Sequence, residues 1–343
     1  MSQNGPGVLR LAIPSDGELY EPTLGFLNEC GLAVDRGSAR QYTGALHGLD
    51  GSQVLFQRSA DITGKVEERS ADLGIVGLDR YTEGHREAGA GLLVCEDLGY
   101  GRCELVTAVP EAWIDVTEMA DLADLAAEFR ERGRDLRVAT KYPRLTREFF
   151  FRHGIHYIAI VPSSGTVEAA PLMGFADIIV DISATGATLR ENRLKTLADG
   201  TVLRSQACVI ANRTALQEDP GKLELARQLI ERVEGYLQGR HFFRLSANVP
   251  GTSAEQVARA VLDRSEVAGL RGPTVAQVYT AKGESWFAVT VVVPRARLQQ
   301  AVDHLRSLGG SGISVIQPRY VYQGTSPTYQ RLLAALRDAP AGG

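Results

Sequence analysis

The sequence predicts an α/β protein in which two lobes, each with a mostly parallel sheet, precede a ferredoxin-like domain. Up to residue 211, short strands rich in β-branched residues alternate with amphipathic helices, which is typical of parallel βα units. After Gly239 the order becomes β-α-β-β-α-β, which indicates a ferredoxin-like domain that folds as one unit. With 343 residues, the chain is long enough to bury a core in each part.

The change of pattern also predicts the domain boundaries. We expect lobe I to span residues 1–109 and to be completed by about 197–238, because a strand and a long helix follow the second lobe. Lobe II is expected at 110–196. The ferredoxin-like domain is expected at 239–325.

Lobe I is predicted to open with a strand, a loop and a helix. The helix covers residues 21–30 and stops at Gly31, and a second helix begins with Asp61 as its N-cap. Apolar runs that end in glycine, proline or polar residues predict its strands, at 8–13, 54–57, 72–77, 92–96 and 103–110.

Lobe II is predicted from the same signals. An amphipathic helix covers 117–132, and Pro143 opens a second helix. The segment 163–166 is expected to cap a short helix that runs to Met173. Three short apolar runs predict its strands, at 136–140, 157–161 and 176–181.

The C-terminal part begins after a long helix at 220–238, and a short helix through Leu332 follows it. Helices are predicted at 253–262 and 294–308. Alternating apolar residues predict its four strands, at 241–249, 274–280, 286–293 and 313–322.

Composition excludes several classes of protein. Apolar residues make up 44% and charged residues 23% of the chain, which is typical of a globular protein. The net charge of −4 gives no reason to expect a nucleic-acid partner, and no apolar run approaches the roughly 18 residues of a membrane helix. The polar N-terminus shows no signal-peptide core, and the four cysteines form no Cys-x-x-Cys pair, so we expect a cytoplasmic protein without a disulfide or zinc framework.

The segment 176–189 carries the clearest functional pattern. An apolar strand ends at Asp181, small and hydroxylated residues follow, and a helix begins near Leu189. Backbone N–H groups in such a loop can bind a phosphate, and the carboxylate can accept hydrogen bonds from sugar hydroxyls. The loop residues are Ser183, Ala184, Thr185, Gly186, Ala187 and Thr188. The alternative interpretation is an ordinary strand-to-helix turn capped by a hydroxyl group.

The apolar strand, the acid and Thr185-Gly186-Ala187-Thr188 resemble the phosphoribosyl pyrophosphate (PRPP) motif of phosphoribosyltransferases. Over most of its length, the chain is similar to ATP phosphoribosyltransferase of the long form. The blocks that carry this resemblance, in chain order, are residues 9–19, 71–79, 98–103, 139–143, 164–171 and 181–192.

The resemblance implies a core built like a periplasmic binding protein, with the active site in the cleft between its lobes. It also implies a regulatory role for the ferredoxin-like domain, with histidine as the inhibitor, and a hexameric assembly. The implied reaction joins N1 of ATP to C1 of PRPP and releases pyrophosphate, with Mg²⁺ as cofactor, in the first step of histidine synthesis.

The same resemblance suggests roles for individual residues. The loop residues 183–188 would bind the 5-phosphate, and Asp181 would bind the ribose hydroxyls. Glu168 is a second candidate for the ribose or the metal. Arg58 is the first choice and Lys141 the second choice as a catalytic cation for the pyrophosphate, although both also suit plain structural roles at strand ends.

One departure from the family pattern lies in the first loop. Many relatives carry Lys and often Arg where this chain has Asp16 and Glu18, and an acid there would repel a polyphosphate. Arg10, Arg40 or a bridging Mg²⁺ could compensate, or the enzyme could be slow. A catalytically weak regulatory paralogue and a small-molecule binding protein of the same fold therefore remain alternatives.

Overall fold

The computed structural model describes residues 7–38, 40–163 and 166–337. The chain forms two compact units, one comprising residues up to Ala226 together with those from Leu332, and the other Arg227–Arg331. Among the described residues, no helix is both long and apolar enough to cross a membrane. The predicted boundaries of lobe I, lobe II and the ferredoxin-like domain stay a prediction.

The first unit is a mixed α/β structure. Its strands are β1 (Leu9–Pro14), β2 (Val34–Asp35), β3 (Thr43–Leu46), β4 (Ser52–Gln57), β5 (Leu73–Gly77), β6 (Gly91–Cys95), β7 (Cys103–Pro110), β8 (Leu136–Thr140), β9 (Ile158–Pro162), β10 (Ile178–Ser183), β11 (Leu194–Ser205) and β12 (Ala207–Asn212). Its helices are α1 (Tyr20–Glu29), α2 (Ser59–Glu67), α3 (Leu78–Gly84), α4 (Met119–Glu131), α5 (Pro143–Arg152), α6 (Ala187–Glu191) and α7 (Arg213–Glu218).

A seven-stranded sheet forms one half of this unit, in the order β2-β3-β4-β1-β5-β12-β6. Its centre is parallel, because β1 pairs in the same direction with β4 and with β5. The remaining pairs are antiparallel, so the prediction of a mostly parallel sheet is wrong outside the central strands. Strand β5 is buried at all five positions, as its continuous apolar sequence indicates.

A five-stranded sheet forms the other half, in the order β11-β7-β10-β8-β9. Strands β9, β8 and β10 are parallel, whereas β7 and β11 are antiparallel to their neighbours. The long strand β11 escaped prediction because Asp199-Gly200 in its middle is a turn signal. The structure accommodates this dipeptide with shifts in register between Thr196 and Thr201.

Two local predictions are wrong. Segment 166–173 forms turns rather than a helix, while Ser164 and Gly165 lie outside the described residues. Helix α2 begins at Ser59 with Arg58 as its N-cap, so Asp61 is not the cap. Asp61 instead lies in the first turn, where a carboxylate favours the positive end of the helix dipole.

Asp177 anchors the start of β10 and therefore fixes the strand that carries the candidate site. It accepts hydrogen bonds from the Arg134 Nη1 at 2.8 Å and from the backbone N–H of Arg137 at 2.8 Å. Burial opposes ionisation of this carboxyl, but the hydrogen bonds from Arg137 and Arg134 outweigh it and hold the pKa of Asp177 below its usual value. The ionised form is thus the one that the folded state prefers.

We expect Asp177→Asn to lower the free energy of unfolding by about 1–2 kcal/mol at neutral pH, because both arginines are partly solvated. The folded-state pKa is depressed, so this contribution is present above the unfolded pKa of about 4 and disappears as the pH falls through the folded value. Denaturant unfolding at pH 7 and pH 3 measures it. Asp135→Asn, which removes the exposed partner of Arg130, is the control and should cost less than about 1 kcal/mol.

The second unit confirms the ferredoxin-like order. Helix α8 (Pro220–Gly239) leads into it, followed by β13 (Phe242–Pro250), α9 (Ala254–Leu262), β14 (Thr274–Val278), β15 (Trp286–Pro294), α10 (Leu298–Ser307) and β16 (Ser311–Ile316), with α11 (Pro327–Arg337) after it. Its antiparallel sheet has the order β14-β15-β13-β16. Strand β15 alternates buried and half-buried residues, which is the period-two pattern of a strand with one covered face. The last strand ends at Ile316 rather than at residue 322.

Candidate functional site

A cleft of about 290 Å³ in the first unit lies at the end of strand β10. Polar and charged side chains dominate its walls. Its lining residues are Glu18, Arg80, Cys103, Lys141, Glu168, Asp181, Ile182, Ser183, Ala184, Thr185, Gly186, Ala187, Thr188 and Leu189. Strand β10 therefore places Asp181 and the whole loop that follows in the wall of one cavity.

The loop between β10 and α6 depends on a glycine conformation. Gly186 has a φ of +72°, in the left-handed region that side chains disfavour, and it precedes the first residue of α6. Its N–H donates to the Ser183 hydroxyl at 3.0 Å, which closes the turn. The Thr188 hydroxyl has no protein partner among the described residues, so it is available to a ligand in the cleft.

Asp181 is the acid at the strand end. Only 5% of its surface is exposed, and its Oδ1 accepts a hydrogen bond of 2.9 Å from the N–H of Ile182. Burial raises the pKa of this carboxyl, an effect that the hydrogen bond from Ile182 and the charge of Lys141 reduce but do not cancel. Its other oxygen is left for a hydrogen-bond donor in the cleft.

Helix α3 holds the turn between β8 and α5 through three side chains. The Tyr142 hydroxyl donates to Asp79 Oδ2 at 2.6 Å, and the Ser205 hydroxyl donates to Asp79 Oδ1 at 2.7 Å. Burial and the charge of Asp79 raise the pKa of Tyr142, so this phenol stays protonated. Position 77 requires glycine, because a Cβ there would overlap the Asp79 carboxylate.

Glu83 provides the second link from α3. Its two carboxylate oxygens accept from the N–H groups of Arg144 and Leu145, at 2.9 Å each. These donors are among the first N–H groups of α5, which have no partner inside the helix. The carboxylate thus caps α5 and fixes the start of this helix, two residues after the cleft residue Lys141.

Arg80 is the third residue of α3 at this turn. Its guanidinium carbon lies 4.3 Å from the centroid of the Tyr142 ring. Its Nη1 donates to the Lys141 carbonyl at 3.4 Å. Arg80 and Lys141 are therefore held side by side, and they are the two cationic side chains among the described residues that line the cleft.

Comparison with known proteins identifies the family. The family model described as ATP phosphoribosyltransferase matches residues 58–235, and the model described as HisG, C-terminal domain, matches residues 240–317. ATP phosphoribosyltransferase 2, chloroplastic, of Arabidopsis thaliana is 36% identical over 337 residues, covering 96% of this chain and 80% of that protein. ATP phosphoribosyltransferase of Bradyrhizobium sp. (strain ORS 278) is 37% identical, covering 97% of this chain and 99% of that protein.

This chain belongs to the ATP phosphoribosyltransferase family. Among solved structures, the ATP phosphoribosyl transferase (HisG:HisZ) complex from Thermotoga maritima matches with 26% identity and a TM-score of 0.51. That match covers 66% of this chain and 96% of the other one. The long form that the resemblance implies is confirmed, since both family models match consecutive parts of this chain.

The structure brings most of the predicted site residues of this family member together. Asp181, Glu168, Lys141 and the loop 183–188 line one cleft. Arg58 does not line it: this residue is exposed at the N-terminus of α2. Their roles toward a substrate stay predictions.

The two cations suggested to compensate for Asp16 are not in the cleft. Arg10 lies on β1 and pairs with the buried Asp72, with its Nη2 2.9 Å from Asp72 Oδ1, so this prediction is wrong for Arg10. Arg40 is exposed and also lies outside the cleft lining. Asp72 itself is fully buried between Arg10 and Lys222, which makes it a structural residue rather than a substrate contact.

Glu18 lines the cleft, in keeping with its expected place near the phosphates, whereas the sequence did not predict Arg80 or Cys103 as lining residues. Arg80 follows Asp79 in the first turn of a helix after a strand with glycines at both ends, and that position at the end of a central strand is the one available signal. Cys103 is half-buried, and burial together with the charge of Asp79 raises the pKa of its thiol to about 11. The thiol is thus protonated at neutral pH and is not an activated nucleophile.

Proposed function

We propose that this ATP phosphoribosyltransferase family member joins N1 of ATP to C1 of PRPP in the cleft around Asp181. The observation that carries this proposal is that one cavity contains an acid at a strand end, the hydroxyl-rich loop 183–188 and two cations. The loop suits a phosphate, Asp181 suits ribose hydroxyls, and the cations suit a polyphosphate. The same proposal places the chain at the first step of histidine biosynthesis.

The proposed reaction is a displacement at C1 of the ribose. The N1 lone pair of adenine forms the new bond, and the C1–O bond breaks with its electron pair leaving on pyrophosphate. The adenine amino group then loses one proton, which balances the charge. Positive charge develops on the sugar, so the Asp181 carboxylate stabilises it, while a cation of the cleft such as Lys141 stabilises the departing anion. No protein nucleophile is required.

The acids of the cleft fit a magnesium ion that also binds substrate. Among the described residues, no group of three or more His, Cys, Asp or Glu side chains could hold a metal alone. Glu168 and Asp181 are nevertheless close enough for the charge of Glu168 to raise the pKa of Asp181. Mg²⁺ is commonly bound by one or two carboxylates plus phosphate oxygens, so these two residues would hold it together with PRPP. Bound there, the ion would neutralise charge on the diphosphate.

The assay for this proposal is the ultraviolet absorbance change when ATP, PRPP and Mg²⁺ are mixed with the protein. We expect enzyme-dependent formation of the N1 adduct and of one pyrophosphate per turnover. A protein that binds PRPP without forming the adduct would be the weak regulatory paralogue. One that binds neither substrate would be a small-molecule binding protein of the same fold, and the proposal would be rejected.

We further propose that the second unit binds histidine as a feedback inhibitor, that the active protein is a hexamer, and that it acts in the cytoplasm. The match to the C-terminal family model supports the regulatory role, and the thiol state of all four cysteines is consistent with a reducing compartment. The same absorbance assay with added histidine tests the inhibition, and sedimentation velocity tests the assembly. Full activity at saturating histidine would overturn the regulatory assignment.

A further inference from the structure

Arg80 lies in the wall of the cleft, and its guanidinium group has hydrogen-bond donors that no protein acceptor uses among the described residues. One of its five N–H groups donates to a protein acceptor, the Lys141 carbonyl, among the residues that the structure describes. Its Nε lies 3.9 Å from Asp79 Oδ2, which is an ion-pair distance but too long for a hydrogen bond. The two oxygens of Asp79 already accept hydrogen bonds from Tyr142 and Ser205, so the N–H donors of Arg80 remain without an acceptor there.

The guanidinium is also positioned before any ligand arrives. It stacks on the ring of Tyr142, a residue that is fully buried and fixed by its hydroxyl bond to Asp79. Only 22% of the Arg80 side chain is exposed. Because the side chain is already ordered, the binding of an anion costs little additional side-chain entropy. Planar guanidinium groups with free N–H pairs bind phosphate oxygens in a bidentate manner.

The position of Arg80 relative to Asp181 indicates which phosphate it meets. Arg80, Lys141 and Asp181 line the same cleft, so both cations lie on the side of the cavity that holds this carboxylate. If Asp181 binds the ribose hydroxyls at C2 and C3, the neighbouring carbon C1 carries the diphosphate towards the same part of the cleft. The 5-phosphate, at the opposite end of the ribose, would lie on the loop 183–188.

We propose that Arg80 binds the diphosphate of PRPP and stabilises the departing pyrophosphate. This assignment rests on the proposed function. Arg80 thereby supplies the positive charge that the first loop lacks, since that loop carries Asp16 and places Glu18 in the cleft lining. Lys141 is its neighbour in this role, joined to it through the backbone carbonyl.

Isothermal titration with two partial ligands tests this assignment in Mg²⁺ buffer. Ribose 5-phosphate is titrated alone, and pyrophosphate is then titrated into protein saturated with ribose 5-phosphate, so that the loop is already occupied. We expect Arg80→Ala to weaken pyrophosphate binding about tenfold or more and to leave the affinity for ribose 5-phosphate unchanged. Arg80→Lys keeps the charge but loses the planar pair of N–H donors, so it should weaken the binding of pyrophosphate about threefold.

Arg86→Ala is the matched control, because Arg86 lies just beyond α3, is exposed and is outside the cleft. It should bind both ligands like the unmodified protein. If Arg80→Ala binds pyrophosphate as tightly as this control does, the assignment is overturned. It is also overturned if both ligands weaken equally, or if only the KM for ATP rises. If the unmodified protein binds neither ligand, the proposed function itself fails.

Discussion

Asp181→Asn is expected to lower kcat/KM for PRPP by about a hundredfold, which corresponds to roughly 3 kcal/mol of transition-state stabilisation. Two ribose hydroxyls each lose a charge-assisted hydrogen bond, and the positive charge that develops on the sugar loses its nearest carboxylate. The substitution keeps the shape of the side chain and its acceptor for the Ile182 N–H. Steady-state kinetics with PRPP varied at saturating ATP measure the effect.

The pH profile gives a second expectation for the same carboxyl. Burial raises the pKa of Asp181, so the carboxylate is lost at a higher pH than an ordinary aspartate would be. As the pH falls through that raised value, kcat/KM for PRPP should decline, and the asparagine variant should lack this acidic limb. The free energy of unfolding depends on pH in the opposite direction from kcat/KM. The folded state binds this proton more tightly than the unfolded chain, so ionisation of Asp181 costs stability as the pH rises through the window above about 4.

Asp177→Asn is the matched control, since Asp177 precedes the same strand at its other end. It should lose stability but retain kcat/KM for PRPP in the folded protein. Should Asp181→Asn keep its activity, or lose only as much as Asp177→Asn does, Asp181 would not be a ribose ligand.

The sequence was sufficient to predict the site where one segment carries all of the information. The loop 183–188 and Asp181 are contiguous, so strand, acid and turn can be read along the chain. Glu168 and Lys141 could be predicted because each follows a strand of the same sheet. These side chains converge because the carboxyl ends of parallel strands meet at one edge of a sheet.

Arg80 could not be predicted in the same way, because its place depends on contacts between distant segments. Its orientation requires the Tyr142 ring, whose hydroxyl bonds to Asp79, 63 residues earlier in the chain. Asp79 is held in turn by Ser205, which lies 126 residues after it. No local pattern records such a network. The prediction for Arg10 was wrong for the same reason, since the buried carboxylate that binds it, Asp72, lies 62 residues away, just before strand β5.

The sheet directions illustrate the same limit. Alternation of strands and helices predicted parallel pairing correctly for β8, β9 and β10, where each connection has room for a crossover. Strand β12 returns to the seven-stranded sheet antiparallel to β5 after the chain has built the five-stranded sheet. That return depends on which surface is still uncovered, and the local sequence does not specify it.

Gly186→Val is expected to weaken ribose 5-phosphate binding by about a hundredfold or more, roughly 3 kcal/mol. A φ of +72° costs an ordinary residue about 1–2 kcal/mol, and a β-branched residue more. The loop would therefore leave its present conformation, and the N–H groups and hydroxyls of residues 185–188 would change their positions in the cleft. An added Cβ would also lie 2.9 Å from Nη1 of Arg190, although that flexible side chain can move.

Gly154→Val separates backbone strain from loss of the site. Gly154 has a φ of +76°, ends α5 at the surface, and has no atom within 4 Å of an added Cβ. Both variants should lose similar stability in thermal unfolding, since both place a branched residue in the left-handed region. Only Gly186→Val should lose ribose 5-phosphate in isothermal titration. Equal retention of the ligand by the two variants would mean that the phosphate does not lie on this loop, because a cradle of backbone N–H groups cannot tolerate a change in its own conformation.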